Sequence, residues 1–296
     1  MNIIETKGLT KYYGKSRGII DLDLSVSEGE IFGFIGPNGA GKSTTIRLLL
    51  GLISPSSGTA KVLNMDCGRE RTSILAQIGY MPSEAMFYDS LRVKEMIQLS
   101  AKLHKKDCSR EAALLCDRFM LDKEKKIREL SLGNRKKVGI VCAFQHRPQL
   151  YILDEPTSGL DPLMQKEFFS LVEERNKEGA AVFLSSHVLS EIQRHCHSAA
   201  IIRDGQLVVH GSVEALSKTS ARKVEVHGIQ TPPAIDGILD VDCGAESVRF
   251  LYQGEMKSLI ASLNALPVQD LSISEPDIEE IFMHFYHERS GSNDLI

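Results

Sequence analysis

GPNGAGKS, residues 36–43, decides how this chain is read. It fits the phosphate-cradling pattern G-x-x-x-x-G-K-[ST] in full, and its flanks are the ones that pattern requires. The apolar run IFGFI, 31–35, precedes it as a strand, and 44–50 follows as a helix closed by Gly51. Within the loop, Gly36, Gly39 and Gly41 let the backbone wrap closely enough to aim successive N–H groups at phosphate oxygens, with Pro37, Asn38 and Ala40 between them. The dipole of the following helix adds partial positive charge at the same place, next to Thr44. Lys42 is placed to reach the β and γ phosphates, and Ser43 to ligate a magnesium ion. The predicted ligand is a nucleotide with its metal.

The chain has 296 residues, 42% of them apolar, which leaves room for one large domain and a small one. Net charge is −4 and the basic residues are dispersed, so nothing resembles the footprint of a nucleic-acid or anionic-membrane binder. Short mixed runs such as 104–107 and 122–128 alternate in sign and read as solvated helix faces. MNIIETKGLT at the start has neither the basic segment nor the apolar core of a signal peptide, and no apolar run is long enough to cross a bilayer. The expectation is a cytoplasmic protein with no direct membrane insertion, held at the membrane only by a partner. Six cysteines show no C-x-x-C pair and suit a reducing compartment. His195, Cys196 and His197, with His187 upstream, lack a second ligand pair at the usual spacing and are not read as a metal site.

Strand-like runs occupy 2–9, 18–26 and 30–35, after which apolar segments at 149–153, 180–184 and 198–210 alternate with helical patterns. That alternation predicts an α/β fold with a largely parallel sheet and some antiparallel strands at the start. Between 84 and 147 the periodicity is helical only, as in 93–104, 109–120 and 134–145, which reads as a helical insertion into the core. After a linker at 211–220, RKVEVHG and SVRFLY read as strands, 254–263 as a helix, 269–274 as a strand and 277–287 as a last helix.

YILDE, 151–155, is an apolar strand ending in two carboxylates. Magnesium needs such a carboxylate opposite the phosphate loop, so Asp154 would orient the metal, directly or through water. Glu155 would then polarise the attacking water, and the turn Pro156, Thr157, Ser158, Gly159 sharpens the pattern. With residues 36–43, this makes nucleotide hydrolysis the predicted activity.

These residues resemble the nucleotide-binding subunit of an ABC transporter of the efflux type, with the motifs in the family's order across 1–215. Besides the two phosphate-site motifs there are Tyr13 in KYYGK, the signature-like LSLGN at 130–134, SGLD at 158–161, and His187 after Ser185 and Ser186. The resemblance implies a P-loop NTPase core of ABC type, with an antiparallel β subdomain, a helical subdomain at about 84–147 and a small α+β C-terminal domain at 220–290. It also implies that Tyr13 stacks on adenine, with Tyr12 as its rival. His187 would hold the γ-phosphate, and Asp161 would communicate across a dimer interface. Ser131 and Gly133 would sit at a helix start facing the nucleotide of a second copy, so that two chains sandwich two ATP molecules head to tail.

Two departures from the family pattern stand out. LSGGQ is here LSLGN, with Leu132 and Asn134 in place of glycine and glutamine. In IGYMPSE, Ser83 stands where the family has a magnesium-contacting glutamine, and serine is shorter by two methylenes. The metal contact is then lost, mediated by water or supplied by Glu84. The resemblance implies an ATPase subunit with ATP and Mg2+ as cofactors, driving a membrane permease, for export of a drug, peptide or lipid-like cargo. The alternative is a non-transport ABC ATPase acting on ribosomes, DNA or cluster assembly. A GTPase is disfavoured because NKEG from Asn176 fails the base-reading pattern N-K-x-D at its last position.

Overall fold

Burial alternates along the first strands, with Leu22, Leu24 and Val26 inside and Asp21, Asp23 and Ser25 outside, as half-buried antiparallel strands require. The computed structural model describes residues 1–84, 86–217, 222–244 and 246–274. β1 (Asn2–Tyr13) turns through Gly14 and Lys15 into β2 (Ser16–Ser27), and Tyr13 lies opposite Ser16. β3 (Ile31–Ile35) leads through the glycine loop to α1 (Lys42–Leu49). β4 (Ser57–Val62) and the short β5 (Met65–Asp66) complete an antiparallel sheet of order β2-β1-β4-β5.

After α2 (Arg71–Gln77) and β6 (Ile78–Met81) the chain is helical, with α3 (Val93–Leu103), α4 (Ser109–Arg118) and α5 (Leu132–Phe144). It returns as β7 (Leu150–Asp154), α6 (Pro162–Lys177), β8 (Ala181–Ser186), α7 (Leu189–His195), β9 (Ser198–Arg203) and β10 (Gln206–Ser212). The second sheet has the order β10-β9-β3-β8-β7-β6, and its β3/β8, β3/β9, β6/β7 and β7/β8 pairs are parallel. Every residue of β3, β7 and β8 is buried, which explains why these strands read as continuous apolar runs rather than alternating ones. Phe32, Phe34 and Phe183 from this sheet share one core with Ile46 and Leu49 of α1 and with Ile4, Leu9 and Leu22 of the antiparallel sheet.

Register places the site. Ile35 is opposite Ser186 and Asp154 opposite Ser185, so the carboxyl ends of β3, β8 and β7 lie side by side. In open α/β sheets that edge is where ligands bind. Caps fix the helices that follow. Asp161 accepts from the Met164 N–H at 3.0 Å ahead of Pro162, a residue suited to the first helical turn. Ser131 caps α5, accepting from Asn134 N–H at 3.4 Å.

The structure corrects the run 198–210, expected as one strand. Asp204 (φ 53°) and Gly205 (φ 75°) turn it into the two strands β9 and β10. By contacts the chain divides into two compact units between His210 and Gly211. The second begins with α8 (Val213–Ser217), then β11 (Arg222–His227), β12 (Ile238–Cys243), β13 (Ser247–Tyr252), α9 (Met256–Leu263) and β14 (Asp270–Ser274). Its sheet is antiparallel in the order β12-β13-β11-β14, and Val224, Val226, Val248, Phe250, Leu259 and Leu263 form its core. The helix expected at 277–287 lies outside the described residues.

Candidate functional site

The loop after β3 is built by backbone geometry. A Cβ on Gly36 would sit 2.4 Å from the Ile202 carbonyl, so any side chain there would displace β9. Gly41, the residue before α1, has φ 112°, where a side chain is strained, and its Cβ would lie 2.7 Å from Ile19. The Ala40 N–H donates to the Pro37 carbonyl at 3.2 Å and Thr45 N–H to Gly41 at 2.9 Å, which closes the loop onto the helix. The first N–H groups of α1 are left facing the cavity, the arrangement that binds phosphate.

Lys42 is buried, 6% exposed, and its ammonium donates to the Gly36 carbonyl at 2.6 Å and the Pro37 carbonyl at 3.3 Å. The same Nζ is 3.1 Å from Glu155 Oε1, an ion pair by distance whose angles leave that buried oxygen without a hydrogen bond. Glu155 Oε2 is 2.7 Å from His187 Nδ1. One carboxylate thus joins the loop lysine on β3–α1 to the histidine that follows β8.

Glu155 itself is held in an uncommon conformation, φ 48° for a residue with a side chain. Its N–H donates to the Ser185 carbonyl at 3.2 Å and to Ser185 Oγ at 3.0 Å. Ser185 Oγ donates to Asp154 Oδ1 at 2.6 Å, so one buried serine orients both carboxylate residues. Glu191 Oε2 accepts from Thr157 Oγ1 at 3.1 Å and Ser186 Oγ at 3.0 Å, and so fastens the turn after β7 to the end of β8.

A cavity of about 280 Å3 opens over the loop. Tyr13, Pro37, Asn38, Gly39, Gly41, Lys42, Ser43, Thr44 and Glu155 line it, all expected from the sequence. Gly36, Ala40, Asp154 and His187, also expected in the site, are not among the lining residues: Gly36, Ala40 and Asp154 are buried, and His187 reaches the site through Glu155. Tyr13, 44% exposed, lies with Lys11 Nζ 5.5 Å from its ring centre and keeps open surface for a base. Ser131 and Gly133 are not among the lining residues. They start α5, where a Cβ on Gly133 would lie 2.7 Å from the Gly159 carbonyl, and Leu132 beside them is 66% exposed.

Sequence reading missed Arg17 and Gly18, which line the cavity beside Tyr13. Arg17 pairs with Asp204 from the β9–β10 turn. A Cβ on Gly18 would approach the Tyr13 ring to 3.0 Å, and neither residue belongs to a motif that announces it. Ser83 reaches the cavity wall and Glu84 does not. Lys136 of α5 was also missed, and its Nζ donates to the Glu155 carbonyl at 2.7 Å.

The oxygen donors Ser43 and Asp154, with the unbonded Glu155 Oε1 nearby, are of the kind magnesium takes alongside phosphate oxygens and water. Among the described residues no group of three or more His, Cys, Asp and Glu side chains is placed to hold a metal by itself. His195 stacks on Phe169 at 3.9 Å and contacts Glu173, while His197 Nδ1 accepts from Ile31 N–H, so the 195–197 run serves packing. No described helix is long and apolar enough to cross a membrane.

Residues 19–158 match the family model described as ABC transporter. The bacitracin transport ATP-binding protein BcrA of Bacillus licheniformis is 33% identical over 95% of this chain and 96% of its own length. A solved structure titled as the ATP-binding subunit of an ABC transporter superposes with a TM-score of 0.69 at 31% identity, over 73% of this chain and 92% of that one. A dimeric ATP-binding cassette solved in a post-hydrolysis state with ADP and Pi shares the fold, with a TM-score of 0.65 at 23% identity over 71% of this chain and 98% of its own. A glycine loop whose lysine meets a carboxylate that also meets a histidine, at the carboxyl edge of a parallel sheet and in a chain alike along nearly its whole length to such a subunit, leaves one family: the chain belongs to the ATP-binding, ATP-hydrolysing subunits of ABC transporters.

Proposed function

We propose that this chain powers an exporter. Two copies close head to tail around two MgATP, and the closed pair drives a separate integral-membrane permease that expels a drug, peptide or lipid-like cargo. The protein then works at the cytoplasmic face of the cell membrane, peripheral and held there by its permease. Residues 1–215 serve as the ATPase domain, 84–147 as the subdomain that meets the permease, and 220–290 as a small accessory domain. Support for transport, rather than ribosome, DNA or cluster work, comes from the bacitracin transport relative, which aligns from end to end.

The observation that carries the catalytic part is Glu155, which lines the cavity and whose two oxygens meet Lys42 and His187. Tyr13 stacks on adenine and the loop N–H groups hold the phosphates. Lys42, reaching between the Gly36 carbonyl and Glu155, is positioned to offset the charge that develops on the β–γ bridging and γ oxygens. Ser43 and Asp154 would hold magnesium, which neutralises phosphate charge and orients the γ group when bound. Glu155 polarises the attacking water, and His187 hydrogen-bonds the γ-phosphate. Ser83, which lines the cavity where Glu84 does not, would contact the metal through a water. Ser131 and Gly133, at the start of α5, meet the γ-phosphate held by the second copy. Affinity between copies then depends on that phosphate, so hydrolysis opens the pair.

The test is Glu155→Gln, tagged and purified in MgATP from detergent-solubilised membranes. The expected outcome is retained ATP binding, phosphate release lowered by roughly 10²-fold or more, a stable dimer on size exclusion, and a stoichiometric polytopic membrane protein alongside. Undiminished hydrolysis would remove Glu155 from the mechanism, and ribosomal or other soluble partners with no membrane protein would overturn transport.

A further inference from the structure

Lys136 is one of the most deeply buried charged residues of the described chain, 3% exposed, and the nucleotide cavity does not include it. It lies in the second turn of α5, five residues after the Ser131 cap. A lysine taken from water loses several kcal/mol of hydration unless charge and hydrogen bonding offset it. Burial does pull its pKa down, and the carboxylates of Asp154, Glu155 and Glu84 pull it back up. Its Nζ donates to the main-chain carbonyl of Glu155 at 2.7 Å, reaching across to the one residue lining the cavity that carries a side chain at a positive φ.

The peptide units flanking Glu155 are thus gripped from two directions. Ser185 of β8 takes the N–H with both its carbonyl and its hydroxyl, and Lys136 of α5 takes the carbonyl. Among the described residues the one other donor to that carbonyl is the Ser158 N–H, at a long 3.4 Å. A left-handed conformation costs about 1 kcal/mol or more for a residue with a Cβ and persists only where its surroundings enforce it. The direction of the Glu155 side chain follows from that conformation.

We propose that Lys136 is a positioning residue for hydrolysis: by clamping the Glu155 carbonyl it fixes the left-handed turn that aims the carboxylate at the reacting phosphate, and it ties the signature helix to the catalytic carboxylate of its own chain. The proposal rests on the reading of Glu155 as the residue that polarises water. Movement of α5 on closure against a second copy is then transmitted to the carboxylate through one hydrogen bond.

The experiment compares Lys136→Met, Lys136→Gln, Glu155→Gln and the Lys136→Met/Glu155→Gln double variant in the full chain. It reads kcat by phosphate release, Kd for ATP by fluorescence and the unfolding midpoint by calorimetry. Misplacing a reacting group by about 1 Å costs on the order of 10²-fold in rate. Lys136→Met, which keeps the shape without the donor, is therefore expected to lower kcat roughly 10- to 100-fold with Kd for ATP within about threefold. Lys136→Gln keeps a donor one bond shorter and is expected to fall between Met and the parent. The double variant should be no slower than Glu155→Gln alone, because the lysine acts only through that carboxylate.

Parental kcat in a folded Lys136→Gln or Lys136→Met chain overturns the clamp. So does a loss confined to Kd or to the unfolding midpoint, since a merely structural lysine would produce that pattern. If Lys136→Met does not fold, the split between kcat and Kd in Lys136→Gln decides alone. Failure of Glu155→Gln to lower kcat refutes the reading of Glu155 instead, so the two failures are distinguishable.

Discussion

The two compact units bury different chemistry. Within Met1–His210 the buried residues include Lys42, Thr45, Lys136, Asp154, Ser185 and Ser186, of which Lys42, Lys136 and Ser185 contact Glu155 directly and Asp154 is joined to it through Ser185. From Gly211 onward, among the described residues, burial falls on Val224, Val226, Val248, Phe250, Leu259 and Leu263, with Tyr252 satisfied by donating its hydroxyl to the Glu255 carbonyl at 3.1 Å. A buried charge destabilises a fold unless partnered, and replacing a buried ion pair by apolar groups is often neutral or stabilising. Polar burial on the scale seen around Glu155 is therefore a poor route to stability. It marks where the first unit does chemistry, and its absence from the described core of the second marks a unit held together by apolar packing.

Lys42→Met is the strongest way to break that comparison. It removes the ammonium from between the Gly36 carbonyl and Glu155 Oε1, and leaves a carboxylate at 15% exposure without its cation. Loss of charge stabilisation at the transferring phosphate should lower hydrolysis by roughly 10²- to 10³-fold, with weaker ATP binding, as read by phosphate release and titration. Because the Glu155 carboxylate is left without its cation, stability should fall as well, by up to about 3–5 kcal/mol, read as a lower unfolding midpoint. A variant that hydrolyses within tenfold of the parent would mean that buried charge in the first unit does not report function.

Much of this was legible in the sequence, for a physical reason. The phosphate loop is local: eight consecutive residues, set by backbone geometry at Gly36 and Gly41, carry it entirely. The continuous apolar runs that open β7 and β8 and make up β3 announce a buried parallel sheet because both faces must be covered. What stayed hidden depends on distant segments meeting. Arg17 reaches the cavity only because β2 folds beside the loop and Asp204 holds it, and nothing near Arg17 encodes that. Ser185 was read as part of the lead-in to His187, yet it binds Asp154 and the Glu155 N–H at once. Lys136 sits in no motif, and its contact with Glu155 exists only because α5 lies against the end of β7. β12 escaped because ILDVDC carries two aspartates and is largely exposed.

His146 sharpens the comparison from within the first unit, since it is buried and polar but does not line the nucleotide cavity. Its ring stacks on His104 at 3.7 Å, Nε2–H donates to the Ile78 carbonyl at 3.0 Å, and Nδ1 has no partner. Burial first, and then the neighbouring His104, push its pKa down to about 4. The unfolded chain therefore binds this proton below about pH 6.5 while the folded one does not until about pH 4. Stability from this residue is complete above the unfolded value and is lost as pH falls through that window, by up to about 3 kcal/mol. Urea titrations across pH 4–7 should show the loss, and His146→Gln should flatten it while leaving hydrolysis at pH 7.5 within about twofold. An equal slope in the variant would assign the acid sensitivity elsewhere.

The smallest effect on catalysis is expected from the second unit. Leu259 of α9 is fully buried against Val224, Val226 and Phe250 of the antiparallel sheet. Leu259→Ala leaves a cavity and should destabilise that unit by about 2–5 kcal/mol, seen as faster amide exchange in β11 and β13. Because no described buried charge there joins the network around Glu155, ATP hydrolysis by the purified chain should remain within about twofold. Hydrolysis that fell in step with the lost protection would show that apolar packing beyond Gly211 helps to set the position of Glu155, and buried polarity would no longer distinguish the unit that performs chemistry from the one that does not.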